Sequence, residues 1–421
     1  MSSLNEPIAI IGGGIGGLTL ALSLHQAGIA ARVYEAAPSI LPLGVGVNLL
    51  PHAMRELDEL GLRVELEELG VATREASFFN RFGQLIYTEP LGRHAGYDWP
   101  QVSIHRGDLQ QTLLNTCHAR LGEAVVVTDA KLVRAHSQAD GVVLELTNAA
   151  GESQTVQARL VIACDGIHSV VRHQFFLAEG APVYSGVNMW RGTTVGLPHL
   201  SGATMVRAGW LSVGKMVIYP IRQLPGGQQL INWVAEVEQP VAARHGWAFE
   251  GVLEQFLPTF ADWHFDWLDI PALIQGATRV LEYPMVDRDP LPTWVLGEHR
   301  NITLLGDAAH PMVPRGSNGA GQAIIDARSL AGHLQRHGIN PAALAAYDAE
   351  RRPATAKVVL ANRTTPPDAV LRHVHERSGD RPFHDIDALI PPHEFSAITS
   401  AYKKTAGYDV ETLRNRPSYL S

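Results

Sequence analysis

The chain opens on a short apolar run, Pro7-Ile8-Ala9-Ile10-Ile11, which predicts a buried strand. The glycine turn Gly12-Gly13-Gly14-Ile15-Gly16-Gly17 follows. Leu18, Ala21, Leu22 and Leu24 then recur at helical spacing, and Gly28 ends the helix. "ARVYEAA" predicts a second strand with Glu35 at its end, so the first 37 residues read as a βαβ unit. "NLLPHAMRELDELGL" predicts a helix started by Pro51 and stopped by Gly61. "SIHRGDLQQTLLNTCHARLG" contains another. Hairpin-forming strands follow, and the buried strand "RLVIACDG" closes that region.

From about 181 to 285 the pattern changes. "VNMWRGTTVG", "KMVIYPIR" and "QLINWVAEVE" are strand-like and rich in aromatic and β-branched residues. Seven of the eight tryptophans fall between 181 and 294, Trp99 being the exception, and this marks a second, mostly antiparallel sheet. "NITLLGD" returns to the texture of the first unit. Gly319 opens a helix whose apolar face carries Ala320, Ala323, Ile324, Ala327, Leu330, Ala331 and Leu334, with Gly338 at its end. The last sixty or so residues mix helix with proline-rich loop. The expected division is a discontinuous first domain (1–75, 100–180, 286–360), a substrate domain (76–99, 181–285) and a C-terminal extension (361–421).

Composition narrows the function. The chain has 421 residues, 46% hydrophobic and 18% charged, enough to bury a sizeable core. A net charge of −8 argues against a nucleic-acid partner. Two cysteines, Cys117 and Cys164, exclude a disulfide framework and suit a reducing compartment, so a cytoplasmic location is expected. The apolar N-terminus lacks a basic lead, and no other run is long enough to span a membrane. Neither HExxH nor a G-x-S-x-G elbow is present, and no metal site is expected.

Three motifs carry chemistry. Gly12, Gly14 and Gly17 fit G-x-G-x-x-G, which brings a backbone turn and a helix N-terminus against a pyrophosphate. Glu35 stands where a ribose hydroxyl would be bound. Asp165-Gly166 follows the strand "RLVIA", and Gly306-Asp307 follows "NITLL". Both acids sit at strand ends, where α/β sheets collect ligands.

These motifs in this order, with "SIHRGDL" between the first and second, resemble the class A flavoprotein monooxygenases, the FAD-dependent aromatic hydroxylases. "HQAGI", "PLGVGVN", "CDGIHS", "MWRG", "NWV", "FADW" and "YPMVDRDPLP" bring the chain nearest to the phenazine-oxidising members. The resemblance runs to about residue 365. It implies a Rossmann-like FAD-binding domain of the GR2 type, a mostly antiparallel-sheet substrate domain and a C-terminal helical segment. It also implies tightly bound FAD, transient NADH or NADPH, and oxygen transfer to an aromatic ring through a flavin C4a-hydroperoxide, with or without loss of a carboxyl group.

By the same resemblance, Gly12, Gly14, Gly17 and Glu35 hold the ADP half of FAD, Arg106 contacts FAD from its helix, and Asp165 serves FAD and NAD(P)H. Asp307 binds the ribityl chain, while Pro314, Asn318, Gly319 and Ala320 border the flavin ring. Val47 and Asn48 lie near the reactive edge. Trp190, Tyr219, Trp233 and Tyr283 are candidates for the substrate-pocket wall, though each is as readily a core residue. Arg191 and Arg315 are candidates to pair with a substrate carboxylate. His310 is a weak candidate for proton relay, and no catalytic base is assigned.

Arg315 and Gly321 depart from the family's ring loop, and the extension after 361 matches no pattern, so either a lid or a contact in a homodimer is open to it. A flavin-dependent halogenase would need a W-x-W-x-I-P segment that "MWRGTT" does not supply. A flavin carrier without turnover is the remaining alternative.

Overall fold

A computed structural model describes residues 4–42, 44–240 and 249–420. Its first sheet runs, in spatial order, Val295–Leu296, Ile302–Leu304, Ser153–Ala163, Leu4–Ile11, Arg32–Tyr34 and Val126–Val127. The last five of these are parallel, and Val295–Leu296 is antiparallel to its neighbour. Antiparallel strands Lys131–Gln138 and Gly141–Thr147 extend from Ser153–Ala163.

The parallel strands read as continuous apolar runs because helices cover them. Ile8, Ala9, Ile10, Val161, Ile162, Ile302 and Leu304 are essentially inaccessible. The helix Ile15–Gln26 packs against Gly319–His337, and both contribute to the same core. Gly12 has φ +104°, and a Cβ there would stand 2.5 Å from the Cys164 carbonyl oxygen, so only glycine allows these two motif turns to touch.

The second sheet has eight strands, in the order Phe249–Glu250, Val280–Asp287, Val183–Gly196, Gln229–Glu238, Gly214–Gln223, Thr204–Trp210, Glu75–Phe79 and Leu85–Pro90. One cross-strand row holds Arg191, Val234, Val217, Arg207 and Phe78, pointing to one face. The adjacent row holds Trp190, Ala235, Met216 and Ala208, pointing to the other. Trp233 shares that second face.

Trp190 and Trp233 are therefore corrected from pocket wall to core. Trp190 stacks on Phe256 at 4.8 Å, and the Trp233 indole N–H donates to Thr194. Both pack with Phe260, Trp263 and Ile274 from the layer at 253–275. Tyr219 and Tyr283 lie on the first face, Tyr283 across from Met189.

A small sheet, Gly46–Leu49, Gln101–His105 and Val71–Thr73, links the two large ones. The C-terminal extension folds into four helices, Ala369–Ser378, Ile386–Leu389, Pro392–Thr405 and Val410–Asn415. Val370, Leu371, Val374 and Phe395 pack on Phe78, Met205 and Tyr219, so the extension covers the first face of the large sheet. Among the described residues, no helix is long and apolar enough to cross a membrane.

Truncating Trp190 to Ala should cost about 3–5 kcal/mol, the range for a buried Trp. Chemical denaturation should show that loss while the yellow chromophore of the folded fraction is unchanged. A chromophore lost at full stability would put Trp190 back at the ligand.

Candidate active site

Four neighbouring strands end at one edge. Ile11 leads to the glycine turn, Tyr34 to Glu35, Ala163 to Asp165, and Leu304 to Asp307. Backbone bonds hold these exits in register: Gly12 N–H to Tyr34 O at 2.8 Å, Cys164 N–H to Ile11 O at 2.7 Å, and Leu305 N–H to Ala163 O at 2.9 Å. Glu35 accepts from the Gly13 N–H at 2.6 Å and the Ala37 N–H at 2.8 Å, which pins its carboxylate beside the turn. No atom lies within 4 Å of a Cβ built on Gly14, so a ligand can approach its backbone closely.

Asp165 accepts from the Val170 N–H with one oxygen, and its other oxygen is buried without a partner. Burial pushes its pKa up, against bonds from Ser169 and nearby backbone. Asp307 is open to the groove but walled by protein elsewhere. Burial raises its pKa, and the charges of His310 and Arg106 oppose the rise. Arg106, exposed at the start of its helix, lies along Gly44. The carboxyl of Asp307 faces Gly319, the first residue of the helix Gly319–His337, whose free N–H groups favour an anion.

Beneath the Gly306-Asp307 turn lies a buried ion cluster that the sequence reading missed. Asp326 accepts from the Gly306 N–H at 3.2 Å, from Arg351 Nε at 2.8 Å and from His310 Nε2. Burial alone would raise its pKa, but His310 and Arg351 outweigh that and hold it below the usual range. His310, 3% exposed, is anchored by Asp326, and its Nδ1 is buried without a partner. Arg172, six residues after Gly166, donates to the carbonyls of Ala308 and Ala309 at 3.1 and 2.8 Å and pairs with Glu179. It locks the second motif to the third.

On the sheet side, Arg191 donates to the Gly46 carbonyl at 3.0 Å, and its Nε is buried without a partner. The buried Tyr219 hydroxyl lies within electrostatic reach of Arg191 and Asn48, and burial pushes its pKa up. Asn232 accepts from the Gly46 N–H at 2.7 Å. These groups brace the strand of Val47 and Asn48.

Loop 313–318 lies opposite. Asn318 is 1% exposed and bonded on both ends of its amide, Pro314 is exposed, and Arg315 lies within electrostatic reach of Asp368. Beside this loop is a pocket, open to solvent, lined by Leu50, Met205, Arg207, Ser317, Lys403 and Tyr408 among others. None of the eight substrate-binding candidates lines it. Arg207, a charged residue on an otherwise apolar strand, was the signal available in the sequence.

The edge fits FAD: an open glycine backbone, an unpartnered buried carboxylate oxygen, a second carboxylate open to the groove and a helix N-terminus converge there. Among the described residues, no group of three or more His, Cys, Asp or Glu side chains could hold a metal ion.

Comparison with known proteins agrees. The FAD binding domain family model matches residues 5–196 and 298–362. Phenazine 1,6-dicarboxylic acid hydroxylase PhzS of Lysobacter antibioticus is 40% identical, covering 94% of this chain and 96% of that protein. The 6-hydroxynicotinate 3-monooxygenase of Bordetella bronchiseptica is 31% identical, covering 83% and 89%. Klebsiella pneumoniae HpxO, solved with FAD and uric acid, shares the fold at TM-score 0.73, with 22% identity and 97% of each chain covered. The chain belongs to the class A FAD-dependent aromatic monooxygenases, and FAD is its cofactor.

Two outcomes test the site. Asp307→Ala should purify with much less FAD, and full yellow occupancy would break the assignment. Asp326→Asn should cost about 3–5 kcal/mol, as for one broken partner of a buried pair. Asp326 titrates below the ~3.9 of an unfolded aspartate, so its contribution is whole at neutral pH and drains away as pH falls below about 4. Denaturation midpoints should show that acid-side loss in the parent chain and a flatter profile in the variant.

Proposed function

We propose that the chain hydroxylates an anionic heteroaromatic, with Arg207 receiving the substrate's carboxylate. The carrying observation is Arg207 in the wall of the pocket beside loop 313–318. Its Nε faces Asp368 at 3.0 Å, an arrangement that leaves its Nη pair to meet a carboxylate bidentately. Around the pocket, Arg207, Lys215, Arg315 and Lys403 face three carboxylates, Glu89, Glu236 and Asp368, leaving one positive charge in excess. Apolar Leu50 and Met205 suit a flat ring. The aromatic acids named for the relatives have this character.

In this reading Gly12, Gly14, Gly17, Glu35 and Arg106 hold the ADP half of FAD, and Asp165 and Asp307 its linking chain. Val47, Asn48, Pro314 and Gly319 border its ring. Bound FAD, reduced by NADH or NADPH, supplies the activation of molecular oxygen. The protein's part is to orient the ring, exclude water and bind the anion. We place the reaction in the cytoplasm, in keeping with two unpaired cysteines. Whether the carboxyl leaves as the oxygen enters is read from the product.

The test is anaerobic flavin bleaching by NADH, with phenazine-1-carboxylate, 6-hydroxynicotinate and the matching carboxamides. Acids should accelerate bleaching many-fold and amides much less. Arg207→Met should weaken acid binding by about tenfold to a hundredfold, the worth of a charge-assisted hydrogen bond. Equal response to acids and amides would overturn the carboxylate assignment, and no response to any aromatic would overturn the hydroxylase reading.

A further inference from the structure

We propose that Tyr402, on the C-terminal helix Pro392–Thr405, is a positioning residue that fixes the conformation of loop 313–318 against the flavin ring and the substrate pocket. The inference rests on the reading of that loop as the ring-facing one.

The loop does not hold itself. Its one internal backbone bond is Ser317 N–H to Pro314 O at 3.2 Å. Ser317 has φ +58°, a left-handed conformation that a non-glycine residue keeps only when its surroundings impose it. Gly316 has φ +88°, and a Cβ there would come within 2.1 Å of the Tyr402 hydroxyl. The loop backbone and the tyrosine are therefore in direct contact.

The Tyr402 hydroxyl, buried with its ring, makes the connections. It accepts from Asn318 Nδ2 at 2.9 Å and donates to Asn362 Oδ1 at 2.5 Å. Asn362 in turn donates to the Val313 carbonyl at 3.1 Å, and Asn318 donates to the Gly316 carbonyl at 3.0 Å. The Asn318 amide is oriented from its other end by His52, whose Nε2 lies 3.1 Å from Asn318 Oδ1. Burial, with Arg416 adding, lowers the His52 pKa to about 3, so the ring is neutral and donates through Nε2. Both ends of the loop thus meet at one phenol from the C-terminal extension. Thr399 and Lys403, on the same helix, and Tyr408 just beyond it line the pocket. The extension that matched no pattern in the sequence would then be part of the active site.

The test pairs Tyr402→Phe, which keeps the ring and removes the hydroxyl, with Asn362→Ala, which removes its acceptor. The exposed Lys404→Ala on the same helix is the control. Two readouts are taken: the FAD dissociation constant of the apoprotein, by flavin fluorescence, and the hydrogen peroxide released per NAD(P)H oxidised with an aromatic acid present. Tyr402→Phe should weaken FAD binding by up to about tenfold, the scale of one neutral hydrogen bond, and raise the peroxide fraction severalfold. The double variant should lose less than the sum of the two singles, because they share the Tyr402–Asn362 contact.

A lower melting temperature with FAD affinity and peroxide fraction unchanged would make Tyr402 a merely structural residue and overturn the proposal. So would strictly additive variants. Should Tyr402→Phe fail to fold, Asn362→Ala alone decides by the same two readouts. If the parent chain shows no aromatic-stimulated NAD(P)H oxidation, the hydroxylase reading fails, and the FAD affinities still judge Tyr402 separately.

Discussion

Much of the site hangs on one buried carboxylate. Asp326 carries a full charge in the core, and such a charge is tolerated only with close partners. Arg351, His310 and the Gly306 N–H supply them. The cluster joins the helix Gly319–His337, the long helix Pro341–Thr364 and the turn that presents Asp307. The Asp307 carboxyl can face the groove because the turn beneath it is nailed down by a charge that cannot be moved cheaply. Arg172 extends the constraint to the Asp165 motif through the carbonyls of Ala308 and Ala309.

The second constraint is that both faces of the large sheet are covered. The layer at 253–275 buries the row of Trp190, and the C-terminal helices and small sheet bury the row of Arg191 and Arg207. Of the charged side chains on the inner row, Arg207 and Lys215 are buried away from bulk water. They must pair, as Lys215 does with Glu236 and Asp368, or face a pocket, as Arg207 does. Division of labour follows from position in the row. Arg191 donates to the Gly46 carbonyl, whereas Arg207, two strands beyond the neighbouring strand's Val234, lines the pocket wall.

Legibility in the sequence tracks the range of the interactions. The βαβ unit, its glycine turn and Glu35 are encoded within 35 residues, and the two acids declare themselves at the ends of apolar strands. The aromatic strands were equally visible, but their inward and outward rows were not. Alternation separates the two faces of a strand, yet when both faces are buried it does not say which one meets the ligand. Trp190 and Trp233 were misplaced for that reason. Asp326 left a trace, an acid among Ala323, Ile324, Ala327 and Leu330, which only a buried partner explains.

By itself, then, the sequence determined the dinucleotide fold, the order of its motifs and the family, because each rests on local periodicity and turn chemistry. The tertiary structure alone decided that Arg207 rather than Arg191 reaches the pocket, that His310 is an anchor, and that the C-terminal extension lies against loop 313–318. Those outcomes depend on contacts such as Tyr402 with Asn318, 84 residues apart. Contacts of that range are set by the path of the whole chain, which no local pattern of side chains encodes.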